Sequence, residues 1–178
     1  TSLTATFDKT KVAAGQVVSF TDGVTTKTVT LTATDVTAGK VTVTGWTLPN
    51  EGDTLTVKAT LTDGTSTTPD ATDSAKLDAT LPPAPTVTIT TDANDDGLVS
   101  TAELNGATTF TVQGDFDNTL VFAGDKLVFT AGGVTNTVVL TAQNISDGFA
   151  TTTFTAPTNG NALTVSAVIQ DVAGNTSS

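Results

Sequence analysis

The chain has 178 residues and a formal net charge of -11, from 7 Lys plus Arg against 18 Asp plus Glu. That balance leaves no basic footprint for nucleic acid and no attraction to an anionic membrane surface. With no His, no Cys and no Arg in the sequence, it offers no Ser-His or Cys-His nucleophile and no bidentate anion clamp, so an enzyme is not expected.

Hydrophobic residues make up 37% of the chain, charged residues 14%, and about a quarter of all positions are Thr. Apolar residues recur with a strict period, which separates this composition from a disordered one. The apolar runs are only a few residues long, so no membrane insertion is expected. The chain opens without a signal-peptide pattern. Its length suits one ordinary domain or two small ones.

The first strong strand signal is "TVTLTAT" (28–34), which places Val29, Leu31 and Ala33 on one face and Thr on the other. Period-two alternation means one buried and one wet face, and β-branched Thr suits the wet one. "TLTVKATLT" (54–62) repeats the pattern with Leu55, Val57, Ala59 and Leu61. Next comes "STTPDATDSAKLDATLPPAP" (66–85), whose prolines read as a short, stiff linker carrying Asp70, Asp73 and Asp78. "PTVTIT" (85–90), "TFTVQG" (109–114) and "ALTVSAVIQD" (162–171) are further strands. Turn signals punctuate the runs at Asp22-Gly23, Asp63-Gly64, Gly132-Gly133 and Asn159-Gly160. No segment shows a sustained helical period.

The chain also repeats itself. "AAGQVVSFTDGVTTKTVTLTA" (13–33) matches "FAGDKLVFTAGGVTNTVVLTA" (122–142), with Gly15 on Gly124, Phe20 on Phe129 and Leu31 on Leu140, all 109 positions apart. After one deletion the spacing becomes 108, and Trp46 falls on Phe154, Pro49 on Pro157, Val57 on Val165 and Asp63 on Asp171. The expected fold is therefore all-β, with two tandem antiparallel β-sandwich domains over residues 1–80 and 81–178. The first copy lacks a counterpart of residues 85–109 and so is expected to lack its first strand. Lys27, Lys40 and Lys58 are candidates for discouraging pairing at open sheet edges.

Between the strands at 85–90 and 109–114 lies "TDANDDGLVSTAELNG" (91–106). Counting Asp92 as position one, Asn94 is three, Asp96 five, Gly97 six, Ser100 nine and Glu103 twelve. This is the spacing of a calcium loop, D-x-[DN]-x-[DN]-G-x5-E. Ca2+ takes six to eight oxygens at roughly 2.3–2.6 Å. Asp92, Asn94 and Asp96 supply side-chain oxygens, Leu98 a backbone carbonyl, Ser100 a direct or water-mediated bond, and Glu103 two oxygens. Read without metal, the same stretch is a polar loop with "STAE" as a capping box, and one helical turn from Ser100 to Leu104 serves both readings. Strands rather than helices flank the loop, so a switch that opens a helix pair is not expected. Asp63, Asp70, Asp73 and Asp78 form a second candidate cation site at the junction. No spacing rule supports it, and a solvated acidic linker accounts for it equally.

The run "ATDSAKLDATLPPAPTVTITTDANDDGLVSTAELNG", the Thr-rich alternating strands and the ending "DVAGNTSS" resemble the bacterial Ig-like repeats of giant RTX adhesins, which are type I-secreted and biofilm-associated. The resemblance covers nearly all of residues 11–178. It implies Ig-like sandwiches strung as extenders on the bacterial cell surface. It also implies calcium stiffening at loops and linkers, neighbouring repeats of the same chain as partners, and a monomer. On that resemblance Asp92, Asn94, Asp96, Leu98, Ser100 and Glu103 form the loop site, and Asp73 and Asp78 join Asp63 at the junction. The first copy departs from the pattern, with "DGTSTTPD" where the second has "DVAGNTSS".

Two other readings use the same residues. A calcium-dependent carbohydrate-binding sandwich would need Trp46 exposed as an aromatic platform, whereas its match to Phe154 marks a shared core position. An ice-binding face built on Thr28, Thr30 and Thr32 would need a flat array, which sheet twist spoils.

Overall fold

The computed structural model describes every residue except Gly160, so the Asn159-Gly160 turn signal lies partly outside the described residues. The described chain divides into two units, Thr1–Asp78 and Ala79–Ser178.

The first unit contains β1 (Ser2–Thr6), β2 (Val17–Thr21), β3 (Thr26–Thr30), α1 (Ala33–Ala38), β4 (Lys40–Thr44), β5 (Thr54–Thr62) and β6 (Ala71–Lys76). One sheet is the pair β1-β4, and the other runs β3-β2-β5-β6. Every pairing is antiparallel. Both sheets contribute to one core: Val41 and Val43 from β4 pack with Val18 and Phe20 from β2 and Val57 from β5, closed by Leu31 and Trp46. The alternation along each strand thus builds a sandwich, with Thr left on the outer faces.

The second unit contains β7 (Thr86–Ile89), α2 (Thr101–Leu104), β8 (Thr109–Asp115), β9 (Lys126–Ala131), β10 (Val134–Val139), α3 (Ala142–Asp147), β11 (Phe149–Thr155) and β12 (Val165–Gln170). Its sheets are β11-β8-β7 and β10-β9-β12, again antiparallel throughout. Phe110 and Val112 from β8, Phe154 from β11, Leu127 and Phe129 from β9 and Ile169 from β12 share its core. Phe110 and Phe154 stack with ring centroids 6.0 Å apart.

The repeat extends further toward the N-terminus than the aligned runs show. The Phe7 amide donates to Gly39 as the Phe116 amide donates to Gly148, and Asp8 caps Thr10 as Asp117 caps Thr119. β1 is therefore the counterpart of β8. Among the described residues no strand flanks β1 opposite β4 in the place that β7 occupies beside β8.

Two readings of the sequence are corrected. "TVTLTAT" is not strand throughout: β3 ends at Thr30, and Thr32 caps α1. The Thr32 hydroxyl accepts the Asp35 N–H at 3.2 Å while the Asp35 carboxylate accepts the Thr32 N–H at 2.8 Å. This reciprocal capping box is repeated by Thr141 and Asn144 at α3. Among the described residues two short helices, α1 and α3, thus occur where no helical period was visible, and the Thr28-Thr30-Thr32 row is broken at its third member. The second correction concerns 66–85. Residues 71–76 are not linker but strand β6, paired to β5 from Thr54↔Lys76 to Ala59↔Ala71.

Candidate metal centre

The 92–103 loop leaves the sheet after β7 and returns to it at β8. Two residues in left-handed backbone shape it, Asp95 at φ 55° and Gly97 at φ 80°. Gly97 adopts that conformation without steric cost, which explains glycine at the sixth position. Asp92 organises the turn: one carboxylate oxygen accepts the Asp96 N–H at 3.2 Å, the other the Gly97 N–H at 2.9 Å. The Asn94 carbonyl oxygen also accepts the Asp96 N–H at 3.2 Å, and its amide donates to Asp96 at 2.9 Å. Asp96 in turn accepts the Leu98 N–H at 2.9 Å.

The far end of the loop is set by α2. The Ser100 hydroxyl accepts the Glu103 N–H at 3.2 Å, and Glu103 Oε2 accepts the Ser100 N–H at 2.8 Å. This is the "STAE" capping box, and the expected turn from Ser100 to Leu104 is present. Glu103 Oε1 reaches back across the loop to the Ala93 N–H at 3.1 Å. The twelfth position is thereby tied to the second at the base of the loop, where Asp92 and Glu103 are half-buried while residues 93–102 are exposed. The Ser100 backbone and hydroxyl bonds hold the Glu103 carboxyl below its ordinary range, against a smaller opposing effect of burial.

The donors at the six positions are all oxygens, which suits a hard cation. Each bonded carboxylate oxygen spends one lone pair on an N–H and keeps another. The carboxylates are not drawn to one point, however: among the described residues no three acidic side chains gather as a metal-holding group.

The four junction aspartates are not brought together either. Asp63 turns inward on its own hairpin, accepting the N–H groups of Thr65 and Ser66 at 2.8 Å each. Those bonds, with the Thr65 hydroxyl, lower its pKa to about 2. Asp70 pairs with Lys58 at 3.0 Å. Asp73 lies on β6 opposite Val57, its carboxylate accepting the Ser74 N–H at 2.9 Å. Asp78 follows β6, so the β5–β6 hairpin separates it from Asp63. Lys58 sits on an inner strand; Lys27 and Lys40 are on edge strands.

Sequence reasoning missed two buried polar groups. Asp125 accepts the Phe122 N–H at 2.8 Å, and Ser177 accepts the Ile169 N–H at 2.9 Å. The repeat carried a signal for the first, since Gln16, 109 positions earlier, accepts the Ala13 N–H. Thr68 accepts the Leu61 N–H much as Ser177 accepts that of Ile169, but the 108 spacing sets Ser177 on Pro69 and so hides it. The "D-x-A-G-N" ending forms a turn in which Asp171 accepts the Asn175 N–H at 2.8 Å. Trp46 is 4% exposed and Phe154 5%. The Trp46 indole donates to Asp22 at 3.2 Å, and the Lys27 ammonium lies 5.7 Å from its ring centre. No glycan platform stands on that residue.

Solved structures similar to this chain include a Ca2+-stabilized adhesin that helps an Antarctic bacterium reach out and bind ice. It is 24% identical, with a TM-score of 0.42, over 98% of this chain and 40% of that one. A second is a 1.5-MDa bacterial ice-binding adhesin described for host cell surface retention, 22% identical with a TM-score of 0.36, over 99% of this chain and 54% of that one. Adhesins thus stand among its structural neighbours. The FN1–FN3 domains of chicken CNTN1 are also similar, at 12% identity and a TM-score of 0.41, over 92% of this chain and 52% of that one. The chain spans about half or less of the two adhesin chains. No family model matches the chain, and no curated protein matches it by sequence. The sandwich assignment rests on the chain's own sheets and cores. No helix among the described residues is long and apolar enough to cross a membrane.

Proposed function

We propose that this chain is a structural spacer of a bacterial surface adhesin, stiffened by calcium and joined end to end with further repeats of its own chain. The observation that carries the reading is the 92–103 loop, whose oxygen donors fall at calcium-loop spacing and whose ends are tied by Glu103 to Ala93 and Ser100. Asp92, Asn94, Asp96, the Leu98 carbonyl, Ser100 and Glu103 would hold the ion. A bound Ca2+ supplies a divalent charge that takes six to eight oxygens. The Asn94 and Asp96 side chains are exposed, and to turn toward it they would give up the bond between them. The reading assigns no reaction, and it places the chain outside the cell, where calcium at roughly 10⁻⁴–10⁻³ M matches the affinity of extracellular modules.

Calorimetry and thermal unfolding of the whole chain, with calcium and with EDTA, test this. At 100 times Kd, binding adds about 2.7 kcal/mol to the folded state. The expected outcome is a rise of roughly ten degrees or more in the melting temperature of the second unit, lost in Glu103→Ala. Equal calcium titrations of wild type and Glu103→Ala would sink the proposal.

A further inference from the structure

β3 and β10 hold the same place in the two units, each at the end of its sheet. Each carries one side chain that clamps the facing sheet. Lys27 on β3 donates to the Thr44 and Gly45 carbonyls at 2.7 and 2.8 Å. Asn136, 109 positions later, donates to the Thr153 carbonyl at 2.9 Å and the Thr152 hydroxyl at 3.3 Å. The clamp is kept, but its charge is not. Phe149 likewise stands on β11 where β4 has Lys40. Charged side chains, Lys above all, keep sheet edges from pairing, and β10 and β11 carry none. On β11 the Thr153 carbonyl is already taken by Asn136, which leaves β10 as the open edge. Leu140 donates its N–H to Asp125. By alternation Val134, Asn136 and Val138 turn their amides to β9, and Thr135, Thr137 and Val139 turn theirs outward. No strand among the described residues pairs with that side.

We propose that β10 is a self-pairing edge, whose partner is β10 of a second copy of this chain laid antiparallel about a twofold axis at Thr137. That register sets Thr137 opposite itself and Thr135 opposite the partner's Val139. The outward amides of each strand then meet the outward carbonyls of the other. A second copy fits this edge because no charge on either strand faces a charge, and Val139, 57% exposed, is covered. The same register on β3 would make the two Lys27 side chains diagonal neighbours across the seam, which disfavours pairing there. Main-chain bonds without a shared core make a weak contact that forms at high local concentration. Spacers crowded side by side on one surface would meet that condition. The pairing goes beyond end-to-end joining and sets aside the monomer that the resemblance implies. It uses no residue of the metal loop.

Amide hydrogen exchange of the whole chain in EDTA, read from micromolar to millimolar protein, tests this apart from calcium. Exchange at Thr135, Thr137 and Val139 should slow by roughly tenfold as the concentration rises. The matching amides of β3, at Thr26, Thr28 and Thr30, should not change. Sedimentation of the same samples should show a dimer. Thr137→Lys should abolish both effects, because the axis sets like charges face to face, and so should Thr137→Glu. An equimolar mixture of the two variants should restore them, since residue 137 then meets an opposite charge. Unchanged exchange in β9 and β12 at low concentration will show that the variants fold. Four outcomes would overturn the proposal: no slowing at the three amides, equal slowing on β3, slowing at Phe149 and Thr151 on β11 instead, or a mixture that pairs no better than its parts.

Discussion

The two units carry the same buried pair at the centre of their second sheets, Val18 and Phe20 in one and Leu127 and Phe129 in the other, but differ in what faces it. Opposite Leu127 and Phe129 the second unit has Gly114, where a Cβ would meet Leu127 at 2.7 Å and Phe129 at 3.0 Å. The first unit has Ala5 there and the smaller Val18 below it. A methyl group has moved from one layer to the other with the core volume nearly kept, as packed interiors require. At this contact the repeats therefore share total volume rather than the residue at each position.

Three experiments would break or sharpen that comparison. The largest effect is expected at the shared aromatic. Phe20→Ala and Phe129→Ala should each cost about 3–5 kcal/mol, and each should lower one melting transition while leaving the other unit's transition in place. A single cooperative loss in calorimetry would show that the units do not unfold separately. Next is the exchanged methyl. Gly114→Ala should cost about 1–3 kcal/mol through overpacking, and adding Leu127→Val should recover most of it. A denaturant double-mutant cycle that shows simple additivity would break the volume argument.

The smallest effect concerns the two hairpin turns at Asp63 and Asp171. Asp63 has a folded pKa of about 2, below its ordinary 3.8. Its carboxylate therefore stabilises the fold fully above the ordinary value, and that contribution is lost as pH falls through about 2. Burial pushes Asp171 up, yet the Asn175 bonds outweigh it and hold that carboxyl low as well. Asp63→Asn keeps an acceptor for Thr65 and Ser66 but cannot titrate. Denaturation of this variant should show a shallower acid dependence in the first unit alone. An unchanged profile would mean that other carboxylates govern acid unfolding.

Much of this fold was legible because buried strands leave a period. Phe20, Leu31, Val57, Phe129 and Leu140 were placed by alternation and by the 109-residue repeat, and β5 spans the residues the alternation marked. One edge strand leaves no such trace. β6 is exposed at every position, so Ala71–Lys76 had no apolar face to read and passed for linker. α1 and α3 were hidden for the opposite reason. Leu31 is buried just before α1, as Leu140 is before α3, which prolongs the strand rhythm past its end. The better signal was the cap, Thr three residues before Asp35 or Asn144. In the loop, Ser100 and Glu103 were legible as a capping box and as metal donors alike. Spacing along a chain does not choose between the two, because both require the same turn.

The bonds of Thr1 and Leu77 also bear on how the first unit would answer to tension. The Thr1 carbonyl accepts the Trp46 N–H, and Leu77 exchanges bonds with Gly52 and Asp53. Thr1 and Leu77 therefore both attach to the loop between β4 and β5, at one end of the sandwich. A pull between them acts across the β1–β4 ladder and opens its five register pairs in turn, beginning at Ser2↔Thr44.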